Sequence, residues 1–207
     1  MSDTRDRLKS LFRQAVHTAQ ASLEKIPGLT QFQKVARELA NLGGLVTADA
    51  IQRDVLRVPG IASVSVLVDT AGVRIDASFE DAADLAMRIV PNAVHFAPRG
   101  AKEIGFAVEP PETTRHRYAS ELVAAVATAL ARTIWGAALG GNQSAPPTGI
   151  VDREGENEFR VDLRNLSIFR GGKSSQATLL LLDALVLESI ESTEGALRLR
   201  LKLPFPL

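Results

Sequence analysis

Hydrophobic and polar positions recur along most of this chain with a period of either two or about three and a half. One stretch has helical spacing but is apolar on nearly every side. From Arg117 to Gly140 the sequence reads RYASELVAAVATALARTIWGAALG. Leu122, Val123, Val126, Leu130, Ile134 and Ala137 fall on one helical stripe, and Ala124, Ala125, Ala127, Thr128 and Ala131 make the opposite face. The spacing predicts one long helix over 117–139, apolar nearly all round. Such a helix is either buried in a domain or set in a membrane. A span needs roughly 20 apolar residues without interruption. Glu121 and Arg132 bracket an uncharged run of only about half that length, and Gly136, Gly140, Gly141 and Pro146 follow. The helix is therefore expected to be buried. Thr114 or Ser120 is the candidate cap, Gly140-Gly141 the stop and Trp135 a core anchor.

Before this helix two further helical patterns appear. Leu8, Leu11, Phe12, Ala15, Val16, Ala19 and Leu23 form an apolar stripe over Thr4–Lys25, with Arg5, Arg7, Lys9 and Arg13 on the polar side. Phe32, Val35, Ala36, Leu39 and Ala40 form another over Thr30–Leu42, stopped by Gly43-Gly44. Together they predict an antiparallel helical hairpin over residues 1–45. A basic amphipathic helix either packs on its own domain or lies on an anionic membrane surface. Residues 4–25 are thus the expected route to a protein partner or a membrane surface. Ala48–Leu56 fits a short helix or a first strand.

From Ile61 the period becomes two. Val64, Val66 and Val68 alternate with Ser63, Ser65 and Leu67, and Val73, Ile75, Ala77 and Phe79 with Arg74, Asp76 and Ser78. With Asp69–Gly72 between them these segments predict a hairpin buried on one face. Leu85, Met87 and Ile89 predict a third strand, Val94 and Phe96 a fourth, and Ile104, Phe106 and Val108 a fifth. Beyond the Gly, Pro, Ser and Asn-rich loop 140–149 the pattern resumes at Phe159, Val161 and Leu163, then Leu166 and Ile168. Leu179–Leu182 and Ala184–Leu187 are almost uninterrupted apolar runs. Leu197, Leu199, Leu201 and Leu203 alternate with Arg198, Arg200 and Lys202, a strand whose cationic face is expected in solvent, where it discourages edge pairing.

Composition narrows the function classes. Lys plus Arg and Asp plus Glu are both 24, so no net field favours nucleic acid as a partner. The absence of cysteine removes disulfides, thiolate chemistry and cysteine metal sites. The window Leu11–Leu23 is too polar for a leader's apolar region, which leads to an expected cytoplasmic location, with residues 4–25 allowing a place at a membrane periphery. Gly171-Gly172-Lys173-Ser174 resembles the end of a phosphate loop. The motif requires a glycine at position 167, which is Ser167, so the segment reads as a hairpin turn. His17, His95 and His116 are isolated and have no metal-ligand spacing. Asp81 with Asp84, and Glu154 with Glu156, are not marked as catalytic pairs, and no GxSxG elbow is present. Gly72, Gly100 and Gly105 fit turns or bulges. No cofactor, metal or catalytic residue is predicted.

Two stretches repeat loosely. Val68-Asp69 leads through Gly72 to Arg74-Ile75-Asp76, and Val151-Asp152 leads through Gly155 to Arg160-Val161-Asp162. Each is followed by strand pattern that closes on proline, at Pro110 and at Pro204. Two strand-rich halves, a long apolar helix and a closing LRLRLKLPF strand resemble the tubular lipid-binding, TULIP-like, proteins, and in particular their small bacterial members, over about residues 51–207. The resemblance implies a curved antiparallel sheet wrapped around a long helix, with lipid held in the gap.

The expected architecture is α+β: an N-terminal helical hairpin over 1–45, then a domain over 46–207 in which the sheet curls around helix 117–139. The leading functional expectation is non-catalytic binding of an apolar ligand such as a lipid or fatty acid. Its cleft would lie between Ala124, Ala127, Thr128 and Ala131 on the helix and Phe79, Phe106, Leu199 and Leu201 on the strands. Small residues facing large apolar ones are what an acyl chain requires, because each buried CH₂ contributes about 0.8 kcal/mol. The same residues can instead close on one another as a dry core. The chain would then be a structural or protein-interaction module that associates through its N-terminal helices.

Overall fold

The computed structural model describes residues 44–97, 100–139, 150–165 and 185–202, with 135–139 described by backbone alone. The expected N-terminal helices, the side chain of Trp135, the stop at Gly140-Gly141, the turn at 171–174, the strand positions Leu166 and Ile168, the run Leu179–Leu182 and the end of the last strand at Leu203 lie outside these residues.

The described chain is α+β with mostly antiparallel sheet. Strand β1 (Gly44–Thr47) leads directly into helix α1 (Ala48–Val55). Thr47 makes that junction, because its hydroxyl accepts from the Ala50 N–H at 3.2 Å and satisfies a free donor of the first turn. The segment 48–56, open between helix and strand in the sequence, is thus a helix. It presents Ile51 and Val55 to the core.

Strands β2 (Ile61–Asp69) and β3 (Gly72–Phe79) form the expected hairpin. Asp69 supports its turn by accepting from the Ala71 N–H at 2.8 Å. The third and fourth expected strands are one strand, β4 (Leu85–Phe96), with a bulge between Pro91 and Ala93. Proline lacks the N–H of a regular ladder and is tolerated at a bulge, so the sequence shows a break where the chain carries on. Strand β5 is Lys102–Glu109. A 3₁₀ turn, Pro111–Arg115, precedes helix α2 (Ala119–Leu139). After α2 come β6 (Val151–Arg153), β7 (Glu158–Asp162), a 3₁₀ turn Leu163–Asn165, β8 (Val186–Thr193) and β9 (Ala196–Lys202).

Six strands form one sheet in the order β2-β3-β4-β5-β7-β6, and β1-β9-β8 form a second. The halves of the chain therefore interleave. β6 and β7, from beyond α2, extend the sheet begun before it, whereas β1 pairs with β9 from the far end of the chain. The loosely repeated stretches become the two edge hairpins of the larger sheet, β2–β3 and β6–β7.

Alternation does the rest. Val73, Ile75 and Ala77 of β3, Ile104, Phe106 and Val108 of β5, and Leu197, Leu199 and Leu201 of β9 all point into a single apolar cluster that also contains α2. Helix α2 packs against α1, β1, β6 and β7. Its buried side chains cover both faces, including Leu122, Val126 and Leu130 on one and Ala125, Ala127 and Ala131 on the other. Lys102 shares this phase and is fully buried. Its ammonium donates to Ala97 O at 2.7 Å and Leu185 O at 3.1 Å, which pins the approach to β8 onto the start of β5.

Candidate functional site

The residues expected to line an apolar cleft are core residues. Ala127, Ala131, Phe106 and Leu199 have no exposed surface, and Ala124 and Thr128 have almost none. A void large enough for water would leave surface on its lining, so none adjoins the four fully enclosed side chains. Thr128 donates its hydroxyl to Ala124 O at 2.7 Å, which satisfies it within the helix and leaves no polar handle for a ligand. The strand residues do not share one wall. Phe106 belongs to the six-stranded sheet, Leu199 and Leu201 to the three-stranded one. Phe79 stacks on Tyr118 at a centroid distance of 4.4 Å, where α2 begins.

That stack belongs to a polar clamp. Tyr118 donates its hydroxyl to Asp81 Oδ1 at 2.8 Å, while Arg117 donates to Asp81 Oδ2 and to the Tyr118 oxygen. His116 accepts the Tyr118 N–H on Nδ1 at 3.3 Å, so its Nε2 is the protonated nitrogen that meets Ala83 O at 2.9 Å. The hydrogen bond from Tyr118, aided by Arg117, holds the Asp81 carboxyl below its ordinary range, and the same Asp81 contact raises the Tyr118 phenol. The clamp ties the start of α2 to the β3–β4 connection. Thr114, a candidate cap, instead donates to Pro111 O and Glu156 O. It braces the 3₁₀ turn against the β6–β7 hairpin.

A second polar contact joins the helices. Asp54 is buried on α1, within 2.8 Å of the Arg57 guanidinium and 2.9 Å of Arg132 on α2. Burial pushes its carboxyl upward and the two arginines offset part of that rise. Both contacts are structural in geometry. Among the described residues no group of three or more His, Asp or Glu is placed to hold a metal ion.

A concavity does exist on the opposite, outward face of the six-stranded sheet. Register aligns Ala93 of β4, Gly105 of β5 and Arg160 of β7 in one row. Ala93 and Gly105 leave the middle of that row almost without side chain. A Cβ on Gly105 would lie 2.7 Å from Asn92 Oδ1 and 2.9 Å from the Ala93 Cβ, so only glycine lets the bulge fold in over β5. The hollow has a volume of about 390 Å³. Glu103, Glu154 and Glu158 border it, with His95 at its rim. Arg160 reaches across to Glu154 at 2.9 Å and Glu103 at 4.0 Å. In the sequence Gly105 fits a turn or bulge, and nothing along the chain joins it to Glu154. The available signal was the alternation in β5. Glu103, Gly105 and Ala107 fall on the outward side, and two of the three are small.

Comparison with protein-family models, with curated proteins and with solved structures found no match. Among the described residues no helix is long and apolar enough to cross a membrane.

Proposed function

We propose that the protein is a non-catalytic interaction module built on a closed core. In this reading the larger sheet curves about α2 in the TULIP-like manner, and the seam that would hold a lipid is filled by side chains. In this reading residues 1–43 form the helical pair, which associates with a protein partner or a membrane surface; Gly44 and Leu45, counted with that pair in the sequence pattern, belong to β1, where β9 supplies their ladder. The observation that carries the reading is the complete enclosure of Ala127, Ala131, Phe106 and Leu199. An acyl chain beside them would have to push apart a core packed at the density of an organic crystal.

A second reading, a lipid or fatty acid held between α2 and the strands, is favoured by one feature. The small residues of α2 share the apolar cluster with Phe106 and Leu199. Extraction of the purified full-length protein with organic solvent, followed by mass spectrometry and by titration with a fluorescent fatty acid, separates the two. The module reading expects no stoichiometric lipid and no saturable uptake. A stoichiometric lipid, lost from a still-folded Ala127→Trp variant, would overturn it in favour of the second.

A further inference from the structure

The six-stranded sheet ends on β2, and we propose that this edge pairs with β2 of a second copy of the chain, antiparallel, about a two-fold axis at Ser65. The pairing depends neither on a closed core nor on residues 1–43. β2 takes its ladder from β3 on one side only. In an antiparallel pair, successive residues direct their N–H and C=O groups alternately toward the partner and away from it. Val68 O accepts from the Gly195 N–H at 2.8 Å, so Val68 directs its groups away from β3. Val66 and Val64, two and four residues before it, do the same. Among the described residues neither makes a backbone hydrogen bond on that side. Two donors and two acceptors therefore stand open, between a bulge at Ala62 and the Gly195 contact at Val68.

Groups at this spacing fit another strand, whose main chain supplies the matching donors and acceptors. Three observations point to a copy of this one. With the axis at Ser65, Val64 of one copy faces Val66 of the other and exchanges two hydrogen bonds with it, which satisfies every open group on both edges. The two stops lie at equal distance from Ser65, three residues before it and three after, so a rotated copy ends its ladder at the same two points. No charge occurs from Ile61 to Val68, and Ser65 meets its own copy, so the axis brings no like charges together. The other edges are blunted in the usual ways. β1 has four residues, β6 has three with Asp152 and Arg153 among them, and β8 carries Glu188 and Glu191. Leu67, 54% exposed on the outward side of β2, is set opposite Ser63 of the copy and gains cover there.

The test is sedimentation of the full-length protein from about 10 µM to about 1 mM, the range for a contact this short. Wild type is expected to show a monomer–dimer equilibrium. Ser65 is exposed, so Ser65→Lys and Ser65→Glu should melt like wild type. Each places like charges on the axis about 5 Å apart, which should raise its dimer dissociation constant about tenfold, and an equimolar mixture of the two should restore dimers. The chain has no cysteine, so Ser65→Cys gives a second measurement. Facing residues at a non-hydrogen-bonded position lie about 4.5 Å apart between Cα atoms, within disulfide reach, so Ser65→Cys should cross-link on oxidation and exposed Ser63→Cys should not. A wild type that stays monomeric to about 1 mM would overturn the proposal. An unchanged dissociation constant in folded Ser65→Lys would move self-association to another surface and overturn it as well. Equal cross-linking of the two cysteine variants would overturn the axis at Ser65.

Discussion

Enlarging Ala127 distinguishes a filled core from an open seam by the sign of its effect. Ala127 has no exposed surface, and its neighbours Val123, Ala124, Leu130 and Ala131 on α2 are enclosed with it. Ala127→Leu adds three carbon atoms. In a closed core they force side chains off their rotamers and shift backbone, which costs about 1–3 kcal/mol. In an open seam they would cover apolar surface and contribute up to about 2.4 kcal/mol, at roughly 0.8 kcal/mol per CH₂. Helix propensity hardly enters, since Leu ranks close to Ala. For a domain of this size 1 kcal/mol moves the melting temperature by about 2–4 °C. The closed core therefore predicts a fall of about 2–12 °C. The assay is thermal and urea denaturation of wild type and variant, with a check that the urea slope is unchanged. Ala86→Leu is the control, because Ala86 lies on the exposed side of β4 and should shift stability by less than about 0.5 kcal/mol. A melting temperature for Ala127→Leu equal to or above that of wild type would refute the argument for a filled seam.

Leu130→Ala removes a fully buried side chain from the same helix and should cost about 2–5 kcal/mol in urea unfolding; unchanged stability would deny α2 its place at the centre of the core. Gly60 has φ of 86° and a Cβ there would lie 2.3 Å from the Tyr118 hydroxyl, whereas Gly195 has φ of 78° with nothing within 4 Å. Both alanine variants carry the left-handed cost of about 1–2 kcal/mol, and Gly60→Ala should lose more because it also displaces the clamp; equal losses in parallel melts would remove the steric part. Asp69 and Asp81 both have carboxyls held below the ordinary range, chiefly by hydrogen bonds from Arg88 and from Tyr118. Their folded forms favour the charged state, so this stabilisation is complete above about pH 4 and is lost as pH falls through the depressed values. Melting temperature followed from pH 6 to pH 2 should therefore drop less steeply for Asp81→Asn than for wild type, and parallel curves would contradict this account.

Much of the local structure was legible because it depends on short-range periodicity. The alternation of Val64 to Val68 and of Val73 to Phe79, with Asp69 to support a turn, dictates a hairpin whatever surrounds it. The leucine and arginine alternation of β9 likewise needs no partner to be read. The apolar content of 119–134 requires burial, because a helix with no polar face has no stable place in water. By contrast, β1 is four residues long, too short to show a period, and exists because β9 offers it a ladder. The break at Pro91 looked like two strands because a bulge and a loop leave the same mark on one chain.

The sequence order suggested two β units on either side of a helix, and contacts between distant segments decided otherwise. β5 takes β7 as its neighbour across the whole of α2, and β1 takes β9 from the far end of the chain, as in the register of Gly44 with Leu199 and Leu45 with Arg198. Such pairings are chosen by which edges and faces meet in the assembled core, which a pattern along one strand does not encode. The same holds for the two candidate sites. Alanines opposite large apolar residues describe a cleft or a filled core equally well, because the difference lies in the separation of the layers that carry them. Gly105, legible only as a turn or bulge, and Ala93, twelve residues before it, become the floor of an acidic hollow only when β4 and β5 are placed side by side and β7 brings Glu158 and Arg160 to the same face.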